Sequence, residues 1–301
     1  MLGVVNLDKP VGPTSHDMVG LLRRLTGSRR IGHAGTLDPL ASGVLPILVG
    51  GATRFSEELT GGAKRYDAVI RLGAASATDD GEGPIMPSGA PLPPDEAITT
   101  ALTTFVGTFD QLPPAFSARK LGGRTAHRAA RSGEALPLAP RQVTVHALDL
   151  RSIRRDVDGV DVAVDLHCGP GTYVRSIARD LGQALGCGGY LLALRRTEAA
   201  GLRVEDAVTP EQLEALRDGG RLAQAILPVA DLLPLPRVHL SDADAQRFRN
   251  GSRIALPAAS DAGETDGRRV VLDSADRLLG VGSVMAGQLR PEKVLATTGA
   301  A

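Results

Sequence analysis

The sequence predicts an α+β protein in which strands and amphipathic helices interleave, with a smaller β-rich unit at the C-terminal end. Three observations carry this. Lys64 to Leu72 and Val160 to Cys168 alternate with period two, as half-buried strands do. Val174, Ile177, Ala178, Leu181 and Leu185 recur at helical spacing and make one apolar face. After the proline-punctuated stretch Leu227 to Arg237, only short strand-like runs between turns remain.

Taken in order, Met1 to Pro10 is a strand carrying Val4, Val5 and Leu7, and Val11-Gly12-Pro13 turns the chain. Thr14-Ser15 supplies an N-cap for a helix through Met18, Leu21, Leu22 and Leu25, stopped by Gly27. A short apolar segment ends at Ile31 and another runs from Val44 to Val49; between them lies a loop with three glycines and one carboxylate, Asp38. Ala52 to Leu59 reads as a short helix broken by Gly61-Gly62. Lys64 to Leu72 follows as a strand with Tyr66, Ala68, Ile70 and Leu72 on one face.

Gly73 to Pro94 is rich in Gly, Pro, Asp and Ala and is expected to be loop, and Pro94 to Val106 a helix with Ile98, Leu102 and Phe105 on one side. If Arg124 to Arg131 is helical, Arg124, His127, Arg128 and Arg131 form one stripe, either a solvated face or a phosphate-facing one. Val143 to Ile153 and Val160 to Cys168 read as paired strands. Gly169-Pro170-Gly171 then leads into the helix of Val174 to Leu185, whose first turn carries Arg175 off the apolar face. A cation gains nothing from the dipole at that end, so Arg175 needs another partner. Tyr190 to Arg196 is a strand, and Glu211 to Leu216 a helix begun at Thr209. The predicted units are a core over 1–230, with an insertion at about 111–140, and a small C-terminal unit over 231–301.

Composition bounds the function. The chain has 301 residues, 43% hydrophobic and 23% charged, as in an ordinary water-soluble globular protein. No apolar run reaches bilayer length and the N-terminus lacks a secretory layout, which places the chain in the cytoplasm with no membrane partner. Cys168 and Cys187 form no CxxC pair and are expected to be buried, reduced thiols; neither a metal cluster nor a Walker A pattern is present, so no metal or cofactor is expected. Net charge is zero, with 34 basic and 34 acidic residues, but the charge is segregated. Arg119 to Arg131 holds five basic residues and no acidic one, while Asp79-Asp80-Gly81-Glu82 and Asp261 to Asp266 collect acid.

Gly32-His33-Ala34-Gly35-Thr36-Leu37-Asp38-Pro39-Leu40-Ala41-Ser42-Gly43 resembles the signature of the TruB branch of the pseudouridine synthases, the bacterial tRNA pseudouridine-55 synthases. Further segments resemble the family's other motifs in the right order: Lys64-Arg65-Tyr66, Gln111 to Lys120, and Gly171-Thr172-Tyr173-Val174-Arg175-Ser176. The resemblance covers Gly3 to about Arg196. It implies a mixed, largely antiparallel sheet flanked by helices, an RNA-gripping insertion, and a C-terminal domain of the PUA type. It implies an isomerase that detaches a uracil in the T loop of tRNA, at position 55, rotates it and rejoins it through carbon.

Residue by residue, the resemblance makes Asp38 the catalytic carboxylate and Arg175 its ion-pair partner, and puts Tyr66 against the target base. His33 would fill the stack the base vacates, Tyr173 and Leu194 would line its pocket, and Arg124, Arg128 and Arg131 would touch phosphates. Taken without the family, Tyr66 and Leu194 read as core and Lys9 as a surface charge; the family places Lys9 against the catalytic loop. The partner expected is the tRNA T arm, with the protein a monomer needing no other protein. Competing functions are a noncatalytic tRNA-folding chaperone, a guide-dependent RNA pseudouridine synthase, and a carboxylate hydrolase of small substrates.

Overall fold

A computed structural model describes residues 1–116, 138–256 and 265–295, together with the backbone of 120–121 and 124–125. The strands are β1 (Gly3–Lys9), β2 (Ile31–His33), β3 (Ala41–Val49), β4 (Lys64–Leu72), β5 (Ala74–Ser76), β6 (Ile85–Pro87), β7 (Gly107–Gln111), β8 (Lys120–Leu121), β9 (Arg124–Thr125), β10 (Arg141–Arg155), β11 (Val160–Cys168), β12 (Gly189–Ala199) and β13 (Leu202–Arg203). In the C-terminal part they are β14 (Arg237–His239), β15 (Ile254–Ala255), β16 (Gly267–Leu272), β17 (Leu278–Met285) and β18 (Gln288–Val294). The helices are α1 (Ser15–Thr26), α2 (Ser56–Thr60), α3 (Asp95–Thr103), α4 (Val174–Ala184), α5 (Pro210–Asp218) and α6 (Asp242–Arg249).

The main sheet runs β1-β3-β12-β4-β11-β10-β7, with β2 and β13 attached at its β3 and β12 strands. All of its pairs are antiparallel except β3 with β12, which run parallel. A parallel pair needs a long crossover, and here it places residue 194 beside residue 41. A second, five-stranded sheet of order β14-β16-β17-β18-β15 forms the C-terminal unit.

Period-two alternation explains how the layers assemble. On β4, Tyr66, Ala68, Ile70 and Leu72 point into the main core with Leu22 of α1, Ile98 of α3 and Ile177 of α4. The intervening Arg65 and Arg71 face outward, paired to Asp165 at 3.0 Å and Asp161 at 2.9 Å. β1 and β3 are buried on both faces. Val5 and Leu45 join the main core, whereas Val4, Val44 and Leu48 pack with Phe55 against Val270, Leu272 and Val281 of the C-terminal sheet. Ion pairs edge that seam: Arg268 to Glu58 at 2.6 Å, and Lys293 to Glu57 at 2.9 Å and to Glu58 at 3.0 Å.

Local signals act where they were read. Thr14 caps α1 by accepting from the Asp17 amide at 3.1 Å, the Asp17 carboxylate accepts from the Thr14 amide at 2.8 Å, and Gly27 ends the helix with φ 67°. Thr209 caps α5 in the same reciprocal way with Gln212. Cys168 and Cys187 are free and buried.

Other expectations are corrected. The stretch from Gly73 to Pro94 contains a hairpin, β5 with β6, because its short alternating runs pair across the Asp79 to Glu82 turn. The segment ending at Ile31 is instead the start of β2. Arg124 begins a two-residue strand, so the helical stripe does not start there; its side chain, with His127, Arg128 and Arg131, lies outside the described residues. Helix α6 went unread although Ser241 caps it, because its mostly polar sequence shows little apolar periodicity.

Helix α4 can lie on β12 only because Gly182 has no side chain: a Cβ there would come within 2.0 Å of the Gly189 nitrogen. Backbone on both sides leaves no flexible atom to yield. Gly182→Ala is therefore expected to destabilise the fold by about 1–3 kcal/mol, read as a lower urea midpoint at unchanged slope.

Candidate active site

The loop from Ala34 to Leu40 joins β2 to β3 and carries Asp38 at the mouth of a cavity of about 300 Å3. Four contacts hold that loop. Ser15, in the first turn of α1, accepts from the Leu37 amide at 2.8 Å and donates to the Leu37 carbonyl at 2.9 Å, fixing the residue before Asp38. Lys9, at the end of β1, donates to the carbonyls of Ala41 at 2.7 Å and Pro10 at 2.8 Å. Gly43, at φ 100°, lies so close to β12 that a Cβ would come within 2.2 Å of the Arg196 carbonyl oxygen. Arg196 itself donates to the Val44 carbonyl at 2.7 Å and the Gly35 carbonyl at 3.0 Å.

Lys9 is fully buried, which overturns the surface-charge reading and sets it beneath the loop. Burial brings its pKa down to about 8, opposed by the charge of Asp38.

Arg175 is buried under the cavity with its Nη2 at 3.0 Å from an Asp38 oxygen and its Nη1 at 3.4 Å from Asp80. It also donates to the carbonyls of Thr78 at 3.2 Å and Phe116 at 2.9 Å. This is the partner that its place in a helix's first turn required. The Asp38 side chain keeps 38% of its surface exposed, against 3% for Asp80, so one carboxylate faces the cavity and the other is internal. Asp80 accepts from the Thr78 hydroxyl and from the Glu82 amide at 3.1 Å. Glu82, nearby, has its pKa raised by burial and by the charges of Asp80 and Asp38.

On the opposite wall, Tyr66 rises from β4 and is 8% exposed. Burial raises its phenol pKa, while the charge of Arg196 and a hydrogen bond from it act the other way. Lys64, two residues earlier, donates to the Thr60 and Gly62 carbonyls, the latter at 2.6 Å. Tyr173, Leu194 and Gly169 complete the lining. Gln111 at the end of β7 clamps Tyr173 by its backbone, accepting from its amide at 2.8 Å and donating to its carbonyl at 3.1 Å.

The structure thus gathers Asp38, Tyr66, Arg175, Tyr173 and Leu194 around one cavity. His33 is on β2 and outside the lining; among the described residues its Nδ1 is buried without a partner, and burial with the charge of Arg196 lowers its pKa. Sequence reasoning missed Ser15, Asp80, Gln111 and Arg196. Asp80 belongs to the acidic run Asp79-Asp80-Gly81-Glu82, but nothing local says that the run folds over Arg175.

The model of the "TruB family pseudouridylate synthase (N terminal domain)" matches residues 23–174, and two C-terminal models of the same family match 175–234 and 236–295. The chain belongs to the TruB family. Over 97% of its length it is 40% identical to tRNA pseudouridine synthase B of Ralstonia nicotianae, covering 94% of that protein. To the protein of that name in Burkholderia mallei it is 42% identical, over 98% of this chain and 97% of the relative. Among solved structures, Cbf5 in a Cbf5–Nop10–Gar1 complex superposes with a TM-score of 0.72 at 27% identity, over 97% of this chain and 84% of that one. A chain of an H/ACA RNP bound to a substrate RNA containing 2′-deoxyuridine gives the same score at 26% identity, over 99% and 86%. TruB proteins are pseudouridine synthases, and the chain is accordingly an isomerase. Among the described residues no helix is long and apolar enough to cross a membrane.

The low pKa of Lys9 makes a stability prediction. An unfolded lysine stays protonated to about its ordinary 10.5, whereas the folded Lys9 loses its proton near 8. Between those values the unfolded chain binds more protons, so the contribution of Lys9 to stability rises with pH across the window. Urea unfolding at pH 7 to 10.5 should show this rise in the wild type and lose it in Lys9→Met.

Proposed function

We propose that this TruB-family enzyme converts the uridine at position 55 in the T loop of tRNA to pseudouridine, with Asp38 acting on a base flipped out of the loop. The observation that carries the reading is the partly exposed Asp38 carboxylate, ion-paired to a buried guanidinium in a cavity that Tyr66 also lines. At about 300 Å3 the cavity is of the size of a small-ligand site. The relatives named tRNA pseudouridine synthase B support tRNA as substrate.

Arg175, at 3.0 Å, holds the Asp38 carboxylate aimed by an ion pair. Asp38 supplies the anionic group needed to open the N-glycosidic bond. After the ring turns and C5 bonds to the sugar, the C5–H bond breaks and its electron pair becomes the C5=C6 double bond. The pair of the C6=N1 bond moves to N1, which takes a proton from water, so the composition is unchanged. Tyr66, having first yielded its own phenol proton to water, receives the C5 proton. Extruding the base costs roughly a few kcal/mol, which Tyr173 and Leu194 offset by packing on the nucleotide; His33 fills the emptied stack. Arg124, Arg128 and Arg131 hold phosphates and set register. The protein acts as a monomer in the cytoplasm and needs no guide RNA.

Asp38→Asn is expected to bind a T-arm transcript as the wild type does and to form no pseudouridine. Comparable turnover by the variant would remove Asp38 from the chemistry. A wild type active only with added guide RNA would move the chain to the guide-dependent class.

Tyr66→Phe should bind equally well, because the ring survives, and should release label from C5-tritiated uridine about a hundredfold or more slowly. An unchanged release rate would leave Tyr66 a packing residue.

A further inference from the structure

Arg196 is a guanidinium with 1% of its surface exposed, among the largest fully buried side chains of the chain. A charge so placed normally meets a carboxylate, yet among the described residues Arg196 makes no ion pair within 4 Å. It donates to backbone oxygens on either side of Asp38, Gly35 at 3.0 Å and Thr36 at 3.4 Å in the loop and Val44 at 2.7 Å in β3, and it also hydrogen-bonds the Tyr66 phenol. The register of the sheet explains the reach, because Arg196 lies opposite Gly43 of β3 on one side and Tyr66 of β4 on the other. The charge is therefore wedged between the loop that carries the carboxylate and the strand that carries the phenol.

We propose that Arg196 is a positioning residue for the isomerisation, its guanidinium clamping both limbs of the Asp38 loop and standing as the counter-charge to the Tyr66 oxygen. This rests on the functional reading above, which gives Tyr66 a proton to receive. The groups around the phenol are Arg196 from β12, Cys168 from β11 and Asp38 from the loop; Arg196 supplies the cation among them. Lys9, His33 and Lys64 stand around Arg196 itself, and its charge lowers the pKa of each. Setting the cations of Lys9 and Lys64 near Arg196 costs stability. It is consistent with a site arranged to receive negative charge on the loop and on the phenol.

The chain has three tyrosines and no tryptophan. Uniform labelling with 3-fluorotyrosine consequently gives three fluorine resonances, and the one lost in Tyr66→Phe is Tyr66. Following that line against pH, Arg196→Gln is expected to move its midpoint upward, and Arg196→Lys to leave it close to wild type because the charge is kept. Both variants should keep wild-type affinity for the T-arm transcript. Both should also turn over more slowly at saturation, the lysine because it lacks the planar fork that reaches several carbonyls. A Tyr66 midpoint unmoved in Arg196→Gln overturns the counter-charge, and wild-type turnover by Arg196→Lys overturns the clamp. If Arg196→Gln does not fold, the lysine variant decides: slow turnover with an unmoved Tyr66 midpoint supports the proposal, and a shifted midpoint refutes it. A wild type that makes no pseudouridine would sink the functional reading, while the fluorine titration would still judge Arg196.

Discussion

A buried guanidinium has to have its charge answered, and the geometry of this site follows from how Arg175 is answered. Two carboxylates share it, Asp80 from inside and Asp38 from the cavity side. Removing one partner from a buried pair is strongly destabilising, because a charge is left without compensation. Asp80 therefore lets Asp38 stay partly solvated and free to meet a substrate while Arg175 remains paired. The hairpin of β5 and β6 exists, in this sense, to bring an acidic turn over the first turn of α4.

The same logic runs through the loop. Asp38 is held by its neighbours and not by its own side chain alone: Ser15 fixes Leu37, Lys9 fixes Ala41, and Arg196 fixes Gly35 and Val44. Each of these groups sits on a different element, α1, β1 and β12, so the loop is rigid only when the sheet is complete. Preorganisation of this kind holds a side chain to within a fraction of an ångström without spending binding energy on it.

Much of the fold was legible in the sequence because it is written in local periodicity. The alternation from Lys64 to Leu72 gave both the limits of β4 and the buried face that carries Tyr66, and the caps at Thr14 and Thr209 marked their helices. The Asp38 loop was legible through resemblance alone, since an Asp-Pro in a loop is otherwise a common turn. What escaped is non-local. Arg196 looks like a solvated charge until the pairing of β12 with β3 sets it opposite Gly43, and Asp80 does until the fold brings it to Arg175. Lys9 left two readings open for the same reason: two of its partners are carbonyls 30 and 32 residues away, which carry no side-chain signal. Helix α6, short and polar, offered too little periodicity to be seen.

The strand order has a consequence for how the chain is made. β12 lies between β3 and β4, and pairs with both. The first third of the polypeptide, which contains the acid and the phenol, cannot adopt its final pairing until residues 189–199 have left the ribosome. Long-range pairing of this sort is slow, because loop closure precedes any gain from contact. The nascent chain accordingly emerges with the Asp38 loop lacking its Arg196 contacts, and the β1–β3 pair is joined to the strands from β4 onward only when β12, the last of the central strands to be made, enters between them.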